Sequence, residues 1–505
     1  MTLLKSASAL AIATSFGIAL PAAADVTADE VWSSWQALAE GSGQSMSGTE
    51  NRSGDRLIVE NLQLSAADND GGSVRIGFDR VVFVERGDGS VAIEFPKSYP
   101  MTVEIRSAEP GRPEDKVTEL DFTVTQRDFE MIASGTPKAL VQEFESPEVT
   151  LTLDRVSGEQ PADIEASMTL DGMSGRYTQT QAETRLFESD LAIDRVRFDL
   201  AMDGRAEDTQ VKLVGTVHDV TSNSDSRMPT GIDPNEFARM LRAGFNSQGE
   251  LKHGAMAYAF DLVEDGNKTH AELSVNSGRI GFNLGGTGVS YETSGEDTRF
   301  SLYDPQLPVP RIEAQMAESG MRFEMPLIKA DEPSDFGLGI RLRDLTVNDE
   351  VWALFDPKEQ LPRDPATLLV DLEGKAQLLA DFTDADMTQS DGIPAELEAL
   401  NVKEMQLKLA GADLAGSGEF TFDNSDKVTF DGMPRPEGNL SLRLAGANSL
   451  MDKLVAMGLV PEDQAMGLRM MMGMFARPGD GPDTMVSDIT VTEEGQVLAN
   501  GQRLR

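Results

Sequence analysis

Methionine is the residue type whose spacing most strongly suggests chemistry in this sequence. Met466, Met470 and Met474 recur every four residues in the segment that ends at Phe475, so a helix there would carry them on one face, with Met471 beside them. Thioethers are soft ligands for Cu(I), and methionine surfaces adapt to apolar ligands. The spacing is also typical of a helix that fills a hydrophobic core, and we favour that interpretation. An apolar-ligand surface made of Met466, Met470, Met471, Met474 and Phe475 is the second interpretation, and copper binding is the third.

Two acidic turns could offer oxygen ligands to calcium. They are Asp68-Asn69-Asp70-Gly71 and Asp384-Ala385-Asp386. A calcium loop of the EF-hand type needs a Glu at a fixed distance behind a central Gly, and neither segment continues in that way. We therefore predict solvated turns at both places and no metal site.

Histidine and serine give no catalytic pattern. His218, His253 and His270 lack the spacing of zinc ligands, and Ser174 lies in Gly172-Met173-Ser174-Gly175, which is not a nucleophile elbow. No phosphate-binding glycine loop precedes a lysine. The sequence therefore predicts no catalytic residue and no cofactor, and it leaves an enzymatic activity without support.

The charge balance is strongly acidic. The chain has 44 Lys and Arg residues against 85 Asp and Glu residues, which gives a formal net charge of −41. Such a field repels nucleic acid, so we exclude recognition of DNA or RNA through a basic patch. The carboxylates indicate a solvated outer face. Some pair of them could act as acid and base in a hydrolase, but the sequence does not single one out.

The first residues have the pattern of a secretory signal. Lys5 precedes an apolar run from Ala9 to Leu20, and small residues follow up to Ala24. The run is too short for a membrane span, so we expect cleavage after Ala24, a periplasmic protein and no transmembrane anchor. The chain contains no Cys, which excludes disulfides and a lipid anchor on cysteine. A large packed core is expected instead.

The elements that would position these residues are mostly β-strands. Apolar and polar residues alternate in Val74–Phe78, in Val91–Phe95 and in Asn439–Leu444, and turns such as Gly87-Asp88-Gly89 separate the strands. Regular alternation is typical of antiparallel strands with one apolar face. We predict a mostly β fold of long twisted antiparallel sheets with a few short helices.

Helices are predicted at a few places along the chain. Thr27 and Glu30 have the spacing of a capping box, and Trp32 and Trp35 would dock the following helix onto the first sheet. Further short helices are predicted at 233–245, at 348–355 with Trp352, and at 394–400.

The C-terminal segment predicts the order strand, helix, helix, strand. Ser449 would cap the first helix, Pro461 would begin the second helix at Glu462–Phe475, and a strand follows at Ile489–Thr492. The polar stretch 222–231 is the best internal boundary. We therefore expect a signal peptide at 1–24, an N-terminal β-rich region at 25–225 and a C-terminal β-rich region at 226–505, which could also form one continuous elongated unit.

Three segments together resemble an uncharacterised family of exported proteobacterial proteins, a domain of unknown function. They are Asp25–Trp32, Asp349–Pro357 with Arg363–Thr367, and the C-terminal strand-helix-helix-strand. The resemblance implies the compartment and the overall build, and it brings no catalytic residues. The repeated one-faced strands are more distantly similar in build to envelope proteins whose long sheet forms an apolar groove for lipid.

Three hypotheses follow for the function. The first is a non-enzymatic envelope protein that holds or shields an apolar ligand such as lipid. The alternative is a structural or protein-interaction module whose apolar faces close against one another, and the third is a hydrolase of envelope polymers. The sequence leaves open whether the apolar faces form a groove or a closed core.

Overall fold

A computed structural model describes residues 25–67, 72–107, 116–157, 163–182, 184–204, 208–233, 236–286, 288–382 and 395–504. The predicted signal segment 1–24 lies outside these residues, as do both calcium candidates, 68–71 and 384–386. The chain divides into two compact units, which are Met1–Thr230 with Gly249–Glu272, and Gly231–Gln248 with Leu273–Arg505. The predicted division into two β-rich regions at 225/226 stays a prediction.

Among its described residues, the first part of the chain forms one helix and eleven strands. They are α1 (Ala28–Gly41), β1 (Ser45–Ser53), β2 (Arg56–Ala67), β3 (Ser73–Glu85), β4 (Val91–Glu94), β5 (Ser98–Ser107), β6 (Lys116–Arg127), β7 (Glu130–Thr136), β8 (Ala139–Ser157), β9 (Asp163–Gln181), β10 (Thr184–Gly204) and β11 (Thr209–Pro229). The next elements are α2 (Phe237–Arg242), β12 (Asn246–His253), β13 (Met256–Glu264) and β14 (Asn267–Val275). Helix α2 belongs to the second unit and β13 to the first, while β12 and β14 have residues in both.

The remaining elements all belong to the second unit. They are β15 (Ser277–Gly285), β16 (Gly288–Tyr303), β17 (Arg311–Met325), β18 (Ser334–Val347), α3 (Asp349–Trp352), β19 (Ala366–Leu378), β20 (Ala395–Leu409), β21 (Ala412–Asp423), β22 (Arg435–Ala445), α4 (Ala447–Ala456), α5 (Glu462–Phe475), β23 (Arg477–Pro478), β24 (Thr484–Val491), β25 (Val497–Ala499) and β26 (Gln502–Arg503). The predicted fold class, mostly antiparallel β with a few short helices, is confirmed. The predicted order strand, helix, helix, strand is also confirmed, by β22, α4, α5 and β24.

Helix α1 begins at the predicted capping box. The Thr27 hydroxyl accepts a hydrogen bond from the Glu30 main-chain N–H at 3.3 Å, and the Glu30 carboxylate accepts one from the Thr27 N–H at 2.9 Å. The Glu85 carboxylate also accepts from the Ala28 N–H at 3.0 Å. These acceptors satisfy main-chain donors that the first helical turn leaves without an intrahelical partner.

The first unit has a closed hydrophobic core around α1. Trp32 and Trp35 are 2% and 5% exposed, and the Trp35 ring meets Phe83 edge-on at 5.2 Å between centroids. The Trp35 indole N–H donates to the buried Gln142 side chain at 2.7 Å. The predicted docking of α1 by its tryptophans is therefore confirmed. Burial of each large apolar side chain stabilises such a core by about 1.5–3 kcal/mol.

The alternation of side chains along the long strands shifts at a left-handed residue. On β9, Leu170 and Met173 are three residues apart, yet both contact the core cluster of the first unit, although strict alternation would place them on opposite faces. Gly172 between them has a φ of 63°, so one left-handed residue shifts the alternation and keeps both side chains on the same face. Left-handed residues occur inside other long strands in the same way, at Asn61, Asp219, Asp297 and Asp344.

Ion pairs lie near left-handed residues of the long strands in each unit. In the first unit, the Asp171 carboxylate accepts from Arg195 at 2.9 Å and from Arg197 at 3.0 Å. These hydrogen bonds lower the pKa of Asp171, and the bond from Arg197 is the largest cause. Partial burial opposes the lowering. In the second unit, Glu318 is paired in the same way with Arg341 at 3.0 Å and Arg343 at 3.1 Å.

Two local predictions are wrong. The segment at 394–400 was expected to be helical, but its described residues belong to β20, where Leu400 pairs with Gly374 on one side and Phe420 on the other. Pairing on both sides outweighs a local helical preference. Ser449 does not cap α4, which begins at Ala447. The Asp483 carboxylate accepts from the Ser449 N–H at 2.8 Å instead, so a distant residue supplies the cap.

Candidate functional site

Nine consecutive strands of the second unit place three rows of side chains on one face. The strands are β15 to β22 and β24, and directly paired residues of an antiparallel sheet share a face. The first row is Phe282, Tyr291, Phe323, Leu338, Leu372, Val402, Gly418, Leu440 and Ile489. The second is Ile280, Thr293, Met321, Ile340, Val370, Met405, Gly416, Leu442 and Ser487. The third is Gly278, Gly295, Ser319, Leu342, Leu368, Leu407, Leu414, Leu444 and Met485.

None of the residues in these rows is charged, and several large ones remain exposed. The side chains of Phe282, Met321 and Leu407 are 45%, 45% and 49% exposed. In the first unit, apolar side chains of the strands enclose α1, and Phe83 and Phe144 are fully buried. We call this surface of the second unit the apolar face. The apolar face is exposed to solvent, whereas the core of the first unit is buried.

Charged side chains of the same strands lie on the opposite face. Arg322 contacts the carboxylates of Asp371 at 2.7 Å and Glu373 at 2.9 Å, and Lys403 contacts Glu373 at 2.5 Å. The hydrogen bond from Lys403 is the largest cause that lowers the pKa of Glu373, burial opposes it, and the charge of Arg322 adds to the lowering. The two faces of this sheet therefore differ sharply in polarity.

Glycines in the rows make room for larger neighbours. A Cβ at Gly416 would lie 2.5 Å from the Leu442 side chain and 2.9 Å from the Ser441 carbonyl oxygen. Next to the first row, the Phe336 ring likewise occupies the space that a side chain at its paired residue Gly374 would need. Large side chains thus occupy the space that the glycines leave free.

A small cluster packs beside the apolar face. Trp352 of α3, Leu361 and Ala410 are buried together, and Leu450 and Leu454 of α4 pack against them. Ala410 belongs to the turn between β20 and β21, so α3 and α4 cover the end of these two strands. Helix α4 of this cluster also contacts α5.

Helix α5 forms as predicted, but its methionines are exposed. Met466, Met470, Met471 and Met474 are 60%, 67%, 50% and 58% exposed, and Phe475 is 36% exposed. The favoured interpretation of a core helix is therefore wrong. The reason is that α5 packs through its small side: Ala465 is its one buried residue.

A hydrogen bond joins α5 to the apolar face. The hydroxyl of Ser487, a member of the second row, donates to the Phe475 carbonyl oxygen at 2.6 Å. The Asn500 side-chain amide donates to the same oxygen at 3.0 Å. We call α5 the methionine helix, and its C-terminal end is thus fixed beside strand β24.

The histidines and Ser174 show no catalytic arrangement. His270 lies between the carboxylates of Asp261 at 2.8 Å and Glu272 at 3.3 Å, and the hydrogen bond with Asp261 is the main cause that raises its pKa. Ser174 lies within strand β9, paired with Ala192 and Glu145. In the part of the chain that the structure describes, no group of three or more His, Asp or Glu side chains could hold a metal ion.

Comparison with known proteins gives one family match. The family described as "Uncharacterized protein conserved in bacteria (DUF2125)" matches residues 258–503, which confirms the expected resemblance to an uncharacterised bacterial family over this segment. No curated protein matches the chain. A solved structure, the ferric preacinetobactin receptor BauA from Acinetobacter baumannii, is similar at 9% identity and a TM-score of 0.15, over 91% of this chain and 77% of that chain. A likeness this low carries no argument about function.

Within the described ranges, no helix combines the length and the apolar content needed to cross a membrane.

Proposed function

We propose that the protein holds or shields an apolar ligand, such as the acyl chains of a lipid, on the apolar face of the second unit. The observation that carries this proposal is the set of three uncharged rows across nine strands, in which seven large side chains are 37–49% exposed. Exposed apolar surface of this extent is costly in water, and its usual explanation is a binding site. Strands spaced about 4.8 Å apart give the rows a length of roughly 38 Å.

The distribution of charge supports a ligand without charge along its length. Ion pairs such as Arg322 with Asp371 lie on the face opposite the rows, so a bound chain would meet no ionised group of the rows. Burying an unpaired charge against a hydrocarbon chain would cost several kcal/mol, so the sorting of charges to the other face favours hydrocarbon as the ligand. No reaction is assigned to this surface, and the proposed role is non-enzymatic.

The methionine helix is proposed as a second part of the ligand surface. Met466, Met470, Met471, Met474 and Phe475 are exposed on α5, and the bond between Ser487 and Phe475 ties that helix to the second row. Methionine side chains are unbranched and flexible, so they can adapt to acyl chains of different length and saturation.

We also propose that the chain is exported to the periplasm after cleavage at Ala24. The support is the sequence pattern of Lys5 and the apolar run from Ala9 to Leu20. Fractionation of host cells with N-terminal sequencing tests this proposal. A periplasmic protein that begins at Asp25 is expected, and a cytoplasmic protein that retains residues 1–24 would contradict it.

Uptake of the fluorescent probe N-phenyl-1-naphthylamine tests ligand binding directly. The purified protein should enhance probe fluorescence, and Phe282→Glu combined with Phe323→Glu should abolish most of the enhancement because it places two charges in the first row. Thr490→Glu is the matched control. Thr490 is exposed and follows Ile489 of the first row, so its side chain lies on the face of β24 opposite the rows. Equal uptake by the double variant and the control would refute the proposal.

A protein-interaction role is the second candidate, and the closed core of the first unit favours it for that unit. Trp32 and Phe83 are buried there, so the described strands of that unit close around α1. Cross-linking in intact cells would recover a stable protein partner if this role holds. The third hypothesis, a hydrolase of envelope polymers, stays a prediction to which no carboxylate pair is assigned.

A further inference from the structure

We propose that the exposed methionine side of α5 docks on the surface of a lipid bilayer built from zwitterionic lipids, and that the apolar face receives its ligand there. This inference rests on the proposed function. Its starting point is the arrangement of α5, in which Met466, Met470, Met474 and Met471 are at least half exposed while Ala465 faces the protein. At 100° per residue, these methionines cover a broad continuous side of the helix.

Beyond its first turn, the exposed side of α5 carries no unpaired charge. From Gln464 to Phe475 the one charged side chain is Arg469, and its guanidinium is bound to the Asp452 carboxylate of α4 at 2.5 Å. The acidic residues Glu462 and Asp463 lie in the first turn of the helix. The surface that a partner would meet along the rest of α5 is therefore neutral and apolar.

Electrostatics select the kind of membrane. Peripheral helices that bind anionic membranes carry Lys and Arg on their polar side, and α5 has only the paired Arg469. The whole chain has a formal net charge of −41, so an anionic bilayer would repel it. Zwitterionic lipids impose no such penalty, and methionine side chains adapt to the irregular surface of acyl chains near the headgroups.

The geometry of α5 fits docking on the surface. Its 14 residues are fewer than the roughly 20 needed to span a bilayer. The helix is held by the Arg469–Asp452 pair and by the Ser487–Phe475 hydrogen bond, and α4 packs on Trp352 through Leu450 and Leu454. A fixed helix that ends beside the second row would bring a docked membrane next to the apolar face.

Flotation with phosphatidylcholine vesicles tests this inference on the purified protein. The parent protein should float with the vesicles, and Met470→Gln combined with Met474→Gln should weaken vesicle binding at least about tenfold, since two exposed thioether side chains become polar. Met470→Leu with Met474→Leu is the matched control and should float like the parent. Replacing about a third of the lipid by phosphatidylglycerol should reduce flotation at low salt, and high salt should restore it.

Three outcomes would overturn the inference: no flotation of the parent, equal flotation of the glutamine variant, or tighter binding to the anionic vesicles. Self-association of the parent that the glutamine variant loses, without flotation, would assign α5 to contact with a second copy instead. Failure here is distinguishable from failure of ligand binding. The parent protein should take up the naphthylamine probe whether or not it floats, and Phe282→Glu with Phe323→Glu should lose probe uptake and still float.

Discussion

The hydroxyl of Ser487 donates a 2.6 Å hydrogen bond to the main-chain carbonyl of Phe475, and this contact joins the apolar face to the methionine helix. Ser487 is 6% exposed, although it occupies a row of otherwise mostly apolar residues. A buried hydroxyl is retained at low cost where it has a partner, and here the partner is the last residue of α5. The apolar face and the methionine helix, the two surfaces proposed to bind the ligand, are therefore near each other in the chain and joined by a hydrogen bond.

Ser487→Ala should loosen the C-terminal end of α5. The substitution removes the shorter of two hydrogen bonds to the Phe475 carbonyl and leaves that from Asn500, so we expect a loss of about 1 kcal/mol in the free energy of unfolding. Hydrogen exchange of main-chain amides in 470–478 should become faster. Ser441→Ala removes an exposed bond to Asp488 and is the control. Equal exchange in the two variants would contradict the assigned role of Ser487.

Gly416→Ala should destabilise the sheet of the second unit. The added methyl group would lie 2.5 Å from the Leu442 side chain and 2.9 Å from the Ser441 carbonyl oxygen, so both must move, at a cost of about 1–2 kcal/mol. Gly467→Ala on α5 is the opposite case, because nothing lies within 4 Å of the new methyl group. That variant should gain about 0.5–1 kcal/mol in helix stability. Denaturant titration measures both values, and a stabilising Gly416→Ala would show that the rows are not packed as described.

Trp35→Phe should weaken the closed core of the first unit. The indole N–H bonds to Gln142, which is 3% exposed, so its loss leaves a buried amide without this donor at a cost of about 1–3 kcal/mol. Adding Gln142→Leu should recover part of the loss, because both polar partners are then gone. A double variant that is less stable than the sum of the single changes would argue against the pairing.

Acid should weaken the attachment of α1 through Glu85. The hydrogen bond from Arg52 is the largest cause that lowers the pKa of Glu85 below its usual value of 4.5, helped by the Ala28 N–H and opposed by partial burial. A carboxylate whose pKa is lowered by folding stabilises the protein when the pH is above its unfolded-state pKa. This contribution disappears as the pH falls from about 4.5 through the folded-state pKa. Glu85→Gln should therefore be less stable than the parent at pH 7, and the difference should shrink towards pH 3. A difference that is constant with pH would contradict this assignment.

Several elements could be predicted from local sequence because local chemistry determines them. The capping box at Thr27 and the span Glu462–Phe475 of α5 are examples, and strand alternation gave the fold class. The shift of alternation at Gly172 and Asp344 could also have been seen, as apolar residues three apart around a Gly or Asp. It was missed because strict alternation was expected along each strand.

Other features depend on distant partners and could not be predicted in this way. Leu400 is in a strand because Gly374 and Phe420 pair with it, and α4 is capped by Asp483 from beyond α5. The exposure of Met470 is also of this kind, since helical spacing identifies an apolar side but not what covers it. The open apolar face likewise results from the order in which nine strands pair.

Native mass spectrometry with solvent extraction, on protein purified gently from its own host, tests the central claim most directly. The account predicts bound mass that extracts as lipid from the parent protein and from Thr490→Glu, and its loss from Phe282→Glu combined with Phe323→Glu. A bare chain mass for the parent, under conditions in which the protein remains folded, would contradict the claim that the apolar face holds lipid.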